Sequence, residues 1–483
     1  MSNAQKPQFA NSREIAERVM VEGVLELLTP ARFGGGEADD LLDMPILLDV
    51  VEQRALLTGA SIAGALRNYL RLREVGYGAI EGDDSLCVAL FGRAQGKEEG
   101  PHSALVTHDA LSETPSRPET ELRDGVAIDP RTRTAEDKKK FDLELLAAGT
   151  RFKLRFELFL PESEAERKRR LQALAIALQG LERGEIGLGA RKRRGFGQCR
   201  IVDGWTVIRY NVRGKRSDLI AWLKRERPNP QQGSQITPLL GVPETDARLD
   251  RRRRLTLQAT FALDGSLLIR SGSGTLDAPD AVHLCSRRRG EPVPVLSGTS
   301  LAGALRARAL RIVNTFAPEK GWRYVDALFG VRLKSDEKER PLAASRLIVH
   351  EAEIRQPVEP AWVQSRVKID RFTGGAYPTA LFSEQPIFAN DDTQVTLRLE
   401  LLSPQDHEVG LVLLLLKDLW TGDLPLGGES SVGRGRLRGK EARIGLDTLE
   451  WSIRSVNGDT LEVEGDKQSL EGFVTAFVRE VGK

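Results

Sequence analysis

The stretch TGASIAGALR at positions 58–67 decides the fold, because it returns as SGTSLAGALR at positions 297–306. Two further phrases recur in the same order: Leu-Phe-Gly at 90–92 and 328–330, and GFGQCR at 195–200 answered by GRGRLR at 433–438. The copies lie about 240 residues apart, whereas solenoid repeats recur every 20–50 residues or so. The pattern therefore indicates two whole domains that arose by duplication.

The composition is that of ordinary globular domains. The 483 residues are 40% hydrophobic and 29% charged, which is too apolar and too balanced for a disordered chain. The polar N-terminus and the lack of an eighteen-residue apolar run predict neither a signal peptide nor a membrane span, so we expect a cytoplasmic protein. The three cysteines are too far apart for a disulfide framework or a zinc ribbon.

Each half shows the same alternation of strand and helix patterns. We expect an α+β module, most simply a ferredoxin-like βαββαβ sheet with insertions. Ser61 is expected to cap the first helix. The predicted elements are strands at 19–28 and 152–160 with helices from 61 and at 164–181, and then strands at 255–263 and 394–402 with helices at 301–314 and 409–420.

Residues 225–254 read as a linker, because they contain PNPQQG at 228–233 and four consecutive arginines at 251–254. This places the first module at 1–224 and the second at 255–440. Residues 441–483 form a C-terminal extension whose sequence gives it no function.

The segment GLGARKRRGFG at 187–197 interleaves four cations with glycines. Glycine lets backbone N–H groups approach an anion closely, and arginine adds charge-assisted hydrogen bonds. The segment lacks the Gly-Lys-Ser/Thr ending of a P-loop, which disfavours nucleoside triphosphate binding. Clustered cations favour a polyanion as the ligand, with a purely structural turn as the alternative.

Five phrases in fixed order occur in each half, and together they resemble the RAMP superfamily of CRISPR proteins. Each half is similar to the repeating backbone subunit of type III effector complexes, and the fused pair resembles the double-module subunit of type III-D systems. The phrases lie at 33–36, 43–45, 58–67, 90–92 and 187–200, and again at 271–274, 277–279, 297–306, 328–330 and 427–438.

The resemblance implies two tandem ferredoxin-like (RRM-like) modules, each with a "thumb" β-hairpin that wedges into the guide–target duplex. The thumbs correspond to about 113–148 and 345–392. The residues that match the thumb are Ile128, Asp129, Arg131, Ile369, Asp370 and Arg371.

The resemblance further implies guide RNA bound along the sheet and the helix that begins each repeated phrase. The matching RNA contacts in the first module are Ser61, Arg67, Arg191, Arg193, Arg194, Phe196 and Arg200. Those in the second module are Ser300, Arg306, Arg434 and Arg436.

The implied activity is endoribonucleolytic cleavage of complementary target RNA, with base pairing supplying the sequence specificity. Asp43 matches the catalytic aspartate in its Asp-x-Pro phrase, and Asp277 is its counterpart, with Asp280 as an alternative in the same turn. An aspartate at that place takes the proton of a 2′-hydroxyl or holds a divalent metal, expected to be Mg²⁺, for which Asp43 is the candidate ligand.

Two other functions stay open. One is a guide-RNA scaffold that does not cleave; the other is a nuclease that processes the guide precursor with histidine chemistry. The five histidines are His102, His108, His283, His350 and His407, and no two stand at the common offset of the repeated phrases. The expected partners are guide CRISPR RNA, complementary target RNA and other type III effector subunits, without a membrane.

Overall fold

The computed structural model describes residues 15–34, 46–93, 102–114, 117–132, 134–271, 279–318, 320–331, 343–358, 361–456 and 460–482. Asp43 and Asp277, the two aspartates that the resemblance assigns to catalysis, lie outside these ranges. Half of the glycine-rich phrase before Asp43 and most of the one before Asp277 also lie outside. The site is therefore defined below by the described residues that flank these positions.

The first half of the chain forms a five-stranded antiparallel sheet packed against helices, and two further pairs of strands lie outside this sheet. Its strands are β1 (Glu17–Leu27), β2 (Leu56–Leu57), β3 (Leu105–Thr107), β4 (Ala110–Leu111), β5 (Thr120–Ile128), β6 (Ala135–Leu146), β7 (Arg151–Leu160), β8 (Cys199–Tyr210) and β9 (Gln231–Gly233). Its helices are α1 (Gly59–Val75), α2 (Leu86–Phe91), α3 (Glu164–Glu182), α4 (Arg216–Leu223), α5 (Ile236–Leu240) and α6 (Glu244–Ala247), with a 3₁₀ turn at Lys192–Arg194.

The second half repeats this arrangement around a larger sheet. Its strands are β10 (Arg254–Asp264), β11 (Ser266–Leu267), β12 (Arg270–Ser271), β13 (Ala281–His283), β14 (Cys285–Arg288), β15 (Glu291–Leu296), β16 (Leu347–Val349), β17 (Ala352–Arg355), β18 (Gln364–Ile369), β19 (Ala376–Gln385), β20 (Ile387–Phe388), β21 (Gln394–Leu402), β22 (Arg436–Leu446), β23 (Leu449–Val456) and β24 (Thr460–Glu464). Its helices are α7 (Gly298–Phe316), α8 (Gly321–Phe329), α9 (Asp406–Trp420) and α10 (Lys467–Val481), with a 3₁₀ turn at Ser430–Val432.

The two sheets have the same centre. Strand β1 pairs antiparallel with β7 and β8, and β10 pairs antiparallel with β21 and β22. The register shifts at one place in each copy, between Gly23 and Val24 in β1 and between Thr260 and Phe261 in β10. A shared bulge, opposite nearly the same point of the central strand, confirms the duplication. The sheets packed against helices confirm the α+β class expected from the sequence.

The helix that carries the repeated phrase begins in the same way in both modules. The side chain of Thr58 accepts a hydrogen bond from the Ser61 amide at 3.3 Å, and Ser297 accepts one from the Ser300 amide at 3.2 Å. The N-cap of α1 is therefore Thr58, and the expectation that Ser61 caps it is wrong by three residues. The exposed Ser61 hydroxyl accepts a hydrogen bond from the Thr58 hydroxyl at 2.9 Å.

Each module has its own hydrophobic core between sheet and helices. In the first, Phe152 and Phe156 alternate with exposed residues along β7 and meet the buried middle of α3. In the second, Phe261 and the apolar face of α9 occupy the corresponding place. Among the described residues, no helix is long and apolar enough to cross a membrane.

A hairpin leaves each module at the place where a thumb is expected. Strands β5 and β6 pair with each other, as do β18 and β19. Each tip is closed by an aspartate: Asp129 accepts from the amides of Arg131 and Thr132, and Asp370 from those of Phe372 and Thr373. The repeated turn fixes both tips by the same local chemistry.

The segments expected to be a linker and an extension carry regular structure. Strand β9 pairs with β8, and Ile236 and Leu240 of α5 are buried in the first core. Strand β22 spans position 440 and continues through β23 into α10, whose Phe477 and Val481 are buried in the second core. Both segments therefore complete the modules that they follow.

Candidate nucleic-acid interface

A cleft of about 480 Å³ opens between the start of the glycine-rich phrase, the first turns of α1 and the segment 187–192. Its polar lining includes Arg32, Thr58, Ser61 and Lys192. Ser61 lies one turn into α1, where backbone N–H groups carry partial positive charge. The cleft thus combines cations, hydroxyls and glycine backbone, which are groups that bind phosphate oxygens.

The cations of this cleft are not neutralised by the rest of the described chain. Nε of Arg32, in the cleft wall, and Nη1 of Arg193, in the adjoining 3₁₀ turn, are buried and have no hydrogen-bond partner in the described ranges. Burial and the neighbouring Arg32 lower the pKa of Arg191, and burial and Arg193 lower that of Lys192. Burial, together with Arg306, Arg193 and Arg191, lowers the pKa of Arg194 to about 10. The cluster is an electropositive site that an anion would stabilise.

The glycines beside these cations are required by the backbone. Gly189 has a φ of 85°, and a Cβ there would lie 2.4 Å from the Arg32 carbonyl oxygen. Gly197 has a φ of 67°, and a Cβ there would lie 1.8 Å from the Leu188 carbonyl oxygen. The glycines therefore build the turn, and the interleaved cations are the part of the motif that this geometry does not require.

The remaining contacts predicted in the first module lie in different surroundings. Arg67 on α1 forms an ion pair with Glu81. The Arg191 guanidinium lies over the Phe141 ring, 4.4 Å from its centroid, midway along the second strand of the first thumb. Arg200 is exposed at the start of β8.

Of the four contacts predicted in the second module, Arg436 is exposed, Ser300 and Arg306 are half-buried, and Arg434 is buried. Ser300 lies in the first turn of α7, and Arg306 forms an ion pair with Asp326 at 2.6 Å. The Arg436 guanidinium donates to the Gly422 carbonyl at 3.1 Å from an exposed position. Arg434 is only 4% exposed and is ion-paired, so it is withdrawn from the interface.

Phe196 is also buried, at 3% exposed, and it stands at the place that Arg434 occupies in the second module. It packs against Leu143 and Leu145 on the second thumb strand of the first module. At the equivalent places of the second module, Arg434 pairs with Glu384 at 3.3 Å. An apolar pair in one copy and an ion pair in the other therefore anchor the thumb to the glycine-rich turn.

Backbone hydrogen bonds fix how the two candidate aspartates correspond. The Leu47 amide donates to the Phe33 carbonyl at 2.8 Å, and the Leu284 amide donates to Ile269 at 2.8 Å. The Leu47 and Leu284 carbonyls accept from Leu56 and Val295, at 3.0 and 3.1 Å. Leu47 and Leu284 are thus equivalent. Asp43 lies four residues before the first, and Asp280 lies four residues before the second.

Asp280 lies at the base of the second thumb. Its Oδ2 accepts from the Ser383 amide at 2.7 Å and from the Ser383 hydroxyl at 3.2 Å. In the first module, the Ile46 amide donates to Glu144 Oε2 on the second thumb strand at 3.3 Å. In both copies, therefore, the segment next to the candidate aspartate is tied to the hairpin.

Two of the histidines occupy equivalent positions in the two modules, although their spacing in the sequence does not indicate it. The amides of His108 and His350 donate to the carbonyls of Arg155 and Arg398, each at 3.1 Å, so these two histidines are equivalent. Their offset differs from that of the repeated phrases because the intervening segments differ in length. His283 is buried with both ring nitrogens bonded to backbone groups, and burial lowers its pKa to about 4.

Sequence reasoning missed several residues of the site. Arg32 stands just before the glycine-rich phrase, and a single arginine beside a motif gives no signal of its own. Ser383 and Glu144 reach the site only through strand pairing. In the described part of the chain, no group of three or more histidine, cysteine or acidic side chains is placed to hold a metal ion.

A family model named RAMP superfamily matches the chain twice, over residues 24–200 and 274–438. Each match covers one module, and together they span well over half of the sequence. A comparison with curated proteins returns no match. The chain belongs to the RAMP superfamily, as a protein with two tandem modules.

Proposed function

We propose that this RAMP protein binds guide RNA along its two modules as a backbone subunit of a type III CRISPR effector complex. The observation that carries the proposal is the cationic cleft of the first module, where the buried Nε of Arg32 lacks a partner within the described chain, as does Nη1 of Arg193 in the adjoining turn. Such groups are costly to bury unless a ligand satisfies them, and RNA phosphate is the anion that RAMP membership favours.

The cleft would hold the RNA backbone and leave the bases free to pair. Lys192 and Arg32 supply charge, and the Ser61 hydroxyl in the first turn of α1 supplies a hydrogen bond. None of these groups distinguishes one base from another, since phosphate contacts position the nucleic acid and carry no sequence information.

The test is RNA binding by the full chain in which Arg32→Ala and Lys192→Ala are combined. We expect the affinity for single-stranded guide RNA to fall about tenfold or more, and the slope of log K against log salt to decrease by about two. The matched control combines Lys168→Ala and Lys224→Ala, which removes two charges from lysines with 68% and 65% exposed side chains. If the affinity and the slope of the Arg32→Ala, Lys192→Ala variant are unchanged, the cleft does not bind the RNA.

We further propose that the assembled complex cleaves target RNA beside each thumb, with Asp43 and Asp280 as the catalytic aspartates. The carboxylate takes the proton of a target 2′-hydroxyl, the 2′-oxygen attacks the adjacent phosphorus, and the 5′-oxygen leaves and takes a proton from water. The products carry a 2′,3′-cyclic phosphate and a 5′-hydroxyl. The backbone register supports Asp280 over Asp277, because only Asp280 has the spacing that Asp43 has.

A divalent cation is compatible with the second aspartate. Mg²⁺ prefers carboxylate oxygens, and Asp280 places one on the surface at the thumb base. The ion would supply positive charge for the reacting phosphate when bound, and one carboxylate would hold it weakly. The Ser383 contacts orient the Asp280 side chain independently of any ion.

Cleavage of a labelled complementary RNA by the complex, with Mg²⁺ or EDTA, tests these assignments. Asp43→Ala and Asp280→Ala are each expected to remove one cut and leave target binding intact, whereas Asp277→Ala keeps both cuts. The loss of a cut with Asp277→Ala and not with Asp280→Ala would reverse the assignment. Survival of every cut in the Asp43→Ala, Asp280→Ala double variant would identify the chain as a non-catalytic scaffold.

A further inference from the structure

The two modules dock head to tail through the glycine-rich turn of the first. Arg194 reaches across from this turn and donates to the carbonyls of Phe329 at 3.1 Å and Leu347 at 3.5 Å. A Cβ on Gly298, at the start of α7, would lie 2.2 Å from the Arg194 carbonyl oxygen. The backbones are therefore in direct contact, and only glycine fits at this point of α7.

Two other side chains of the first module also donate across the contact. Gln198 hydrogen-bonds His350 Nδ1. Arg123, on the first thumb, forms an ion pair at 3.0 Å with Glu351, whose side chain is fully buried. The donor set of the first module is thus Arg194, Gln198 and Arg123.

The first module carries a copy of the surface that receives these donors. The Ser103 and Ser345 hydroxyls each bridge two backbone carbonyls in the same pattern, and Gly59 meets the Thr107 carbonyl as Gly298 meets that of Val349. We call Gly59, Ser103 and residues 105–109 the acceptor face of the first module.

Within the described residues, no side chain binds the acceptor face in the way that Arg194 binds the equivalent face of the second module. His108 Nε2 and Thr107 Oγ1 are buried and have no hydrogen-bond partner there. At the equivalent His350, Nδ1 is bonded to Gln198 of the first module and Nε2 to Glu400 of its own module. Buried polar atoms in folded proteins are nearly always satisfied, so the acceptor face carries two polar groups that a docked partner would satisfy.

The second module of the same chain does not carry the donors that the acceptor face needs. The turn of the second module repeats the backbone, with φ values of 59° at Glu429 and 92° at Gly433 against 54° at Arg191 and 88° at Gly195. The side chains differ at all three donor positions. Val432 stands for Arg194, Arg436 for Gln198, and Gln364 for Arg123.

We propose that the acceptor face of the first module docks the glycine-rich turn of a different protein, and that it excludes a second copy of this chain. The partner's turn presents an arginine where Arg194 stands and an amide four residues later. This inference rests on the contact between the modules and is independent of RNA cleavage.

Sedimentation velocity of full-length proteins over a range of concentrations tests the proposal. The wild-type chain is expected to stay a single species. A variant with Gln364→Arg, Val432→Arg and Arg436→Gln restores the donors, so it should form species whose sedimentation coefficient rises steadily with concentration, because a head-to-tail contact does not close. Adding Ala60→Arg, an exposed position beside Gly59, should return the variant to a single species.

Each result decides the proposal. Wild-type self-association that Ala60→Arg abolishes would show that the face accepts this chain. A triple variant that is folded by circular dichroism and remains a single species would show that the face is not a docking surface. If the triple variant does not fold, Val432→Arg alone replaces it. Val432 is 60% exposed, so its substitution leaves the core intact, and the same two outcomes apply with a smaller shift.

Discussion

At the scale of single residues, the two modules hold their thumbs with different side chains at equivalent positions. Leu143 and Phe196 hold the first thumb through apolar contact, and Glu384 and Arg434 hold the second through charge. Burial and the nearby Glu429 raise the pKa of Glu384, which shows how closely the carboxylates are packed. Removing one partner of a buried pair costs more than replacing both by apolar groups.

This difference predicts the result of a double-mutant cycle. We expect Glu384→Leu to destabilise the protein by about 3 kcal/mol, because it removes one of the two carboxylates that pair with the buried Arg434. Combining Glu384→Leu with Arg434→Phe should recover most of the loss by recreating the apolar pair. Urea denaturation measures both. Glu462→Leu on the exposed edge strand β24 is the control and should change stability by about 0.5 kcal/mol or less. Equal losses in the single and double variants would contradict the interpretation.

At the scale of elements, the periodic patterns predicted the central strands and long helices within a few residues. The short strands around the glycine-rich phrases were not predictable, because their pairing depends on distant partners: β13 pairs in parallel with β19, about 100 residues away. The correspondence of Asp43 with Asp280 was hidden for the same reason. Asp-x-Pro matches at 277–279, and only the hydrogen bonds of Leu284 show where the copies align.

The last helix belongs to the second core, although its sequence gave no such indication. Phe477 of α10 is fully buried and stacks edge-on against Phe316 of α7, with ring centroids 6.0 Å apart. We expect Phe477→Ala to cost about 3–5 kcal/mol in urea denaturation, from lost burial and the cavity left behind. Val478→Ala, at a position 41% exposed, should cost little. A small effect at Phe477 would mean that α10 is a dispensable appendage.

At the scale of the whole molecule, the order of two modules was predictable from the repeated phrases, and their mutual contact was not. Arg194 was expected to bind RNA because it stands among cations in a glycine-rich segment. Instead it binds carbonyls of the next module, a role that depends on where the second copy lies in space. Arg32, whose sequence context is unremarkable, faces the cleft in its place.

Val432, at the turn where the first copy has Arg194, gives the chain two unlike ends. A subunit that receives a neighbour at one end and offers no matching arginine at the other cannot be repeated along a row through this contact. Each assembly built through this contact would contain one copy of the chain, at one defined position in the row of subunits. The side chains of a single turn would then determine how many copies of this chain the assembly contains.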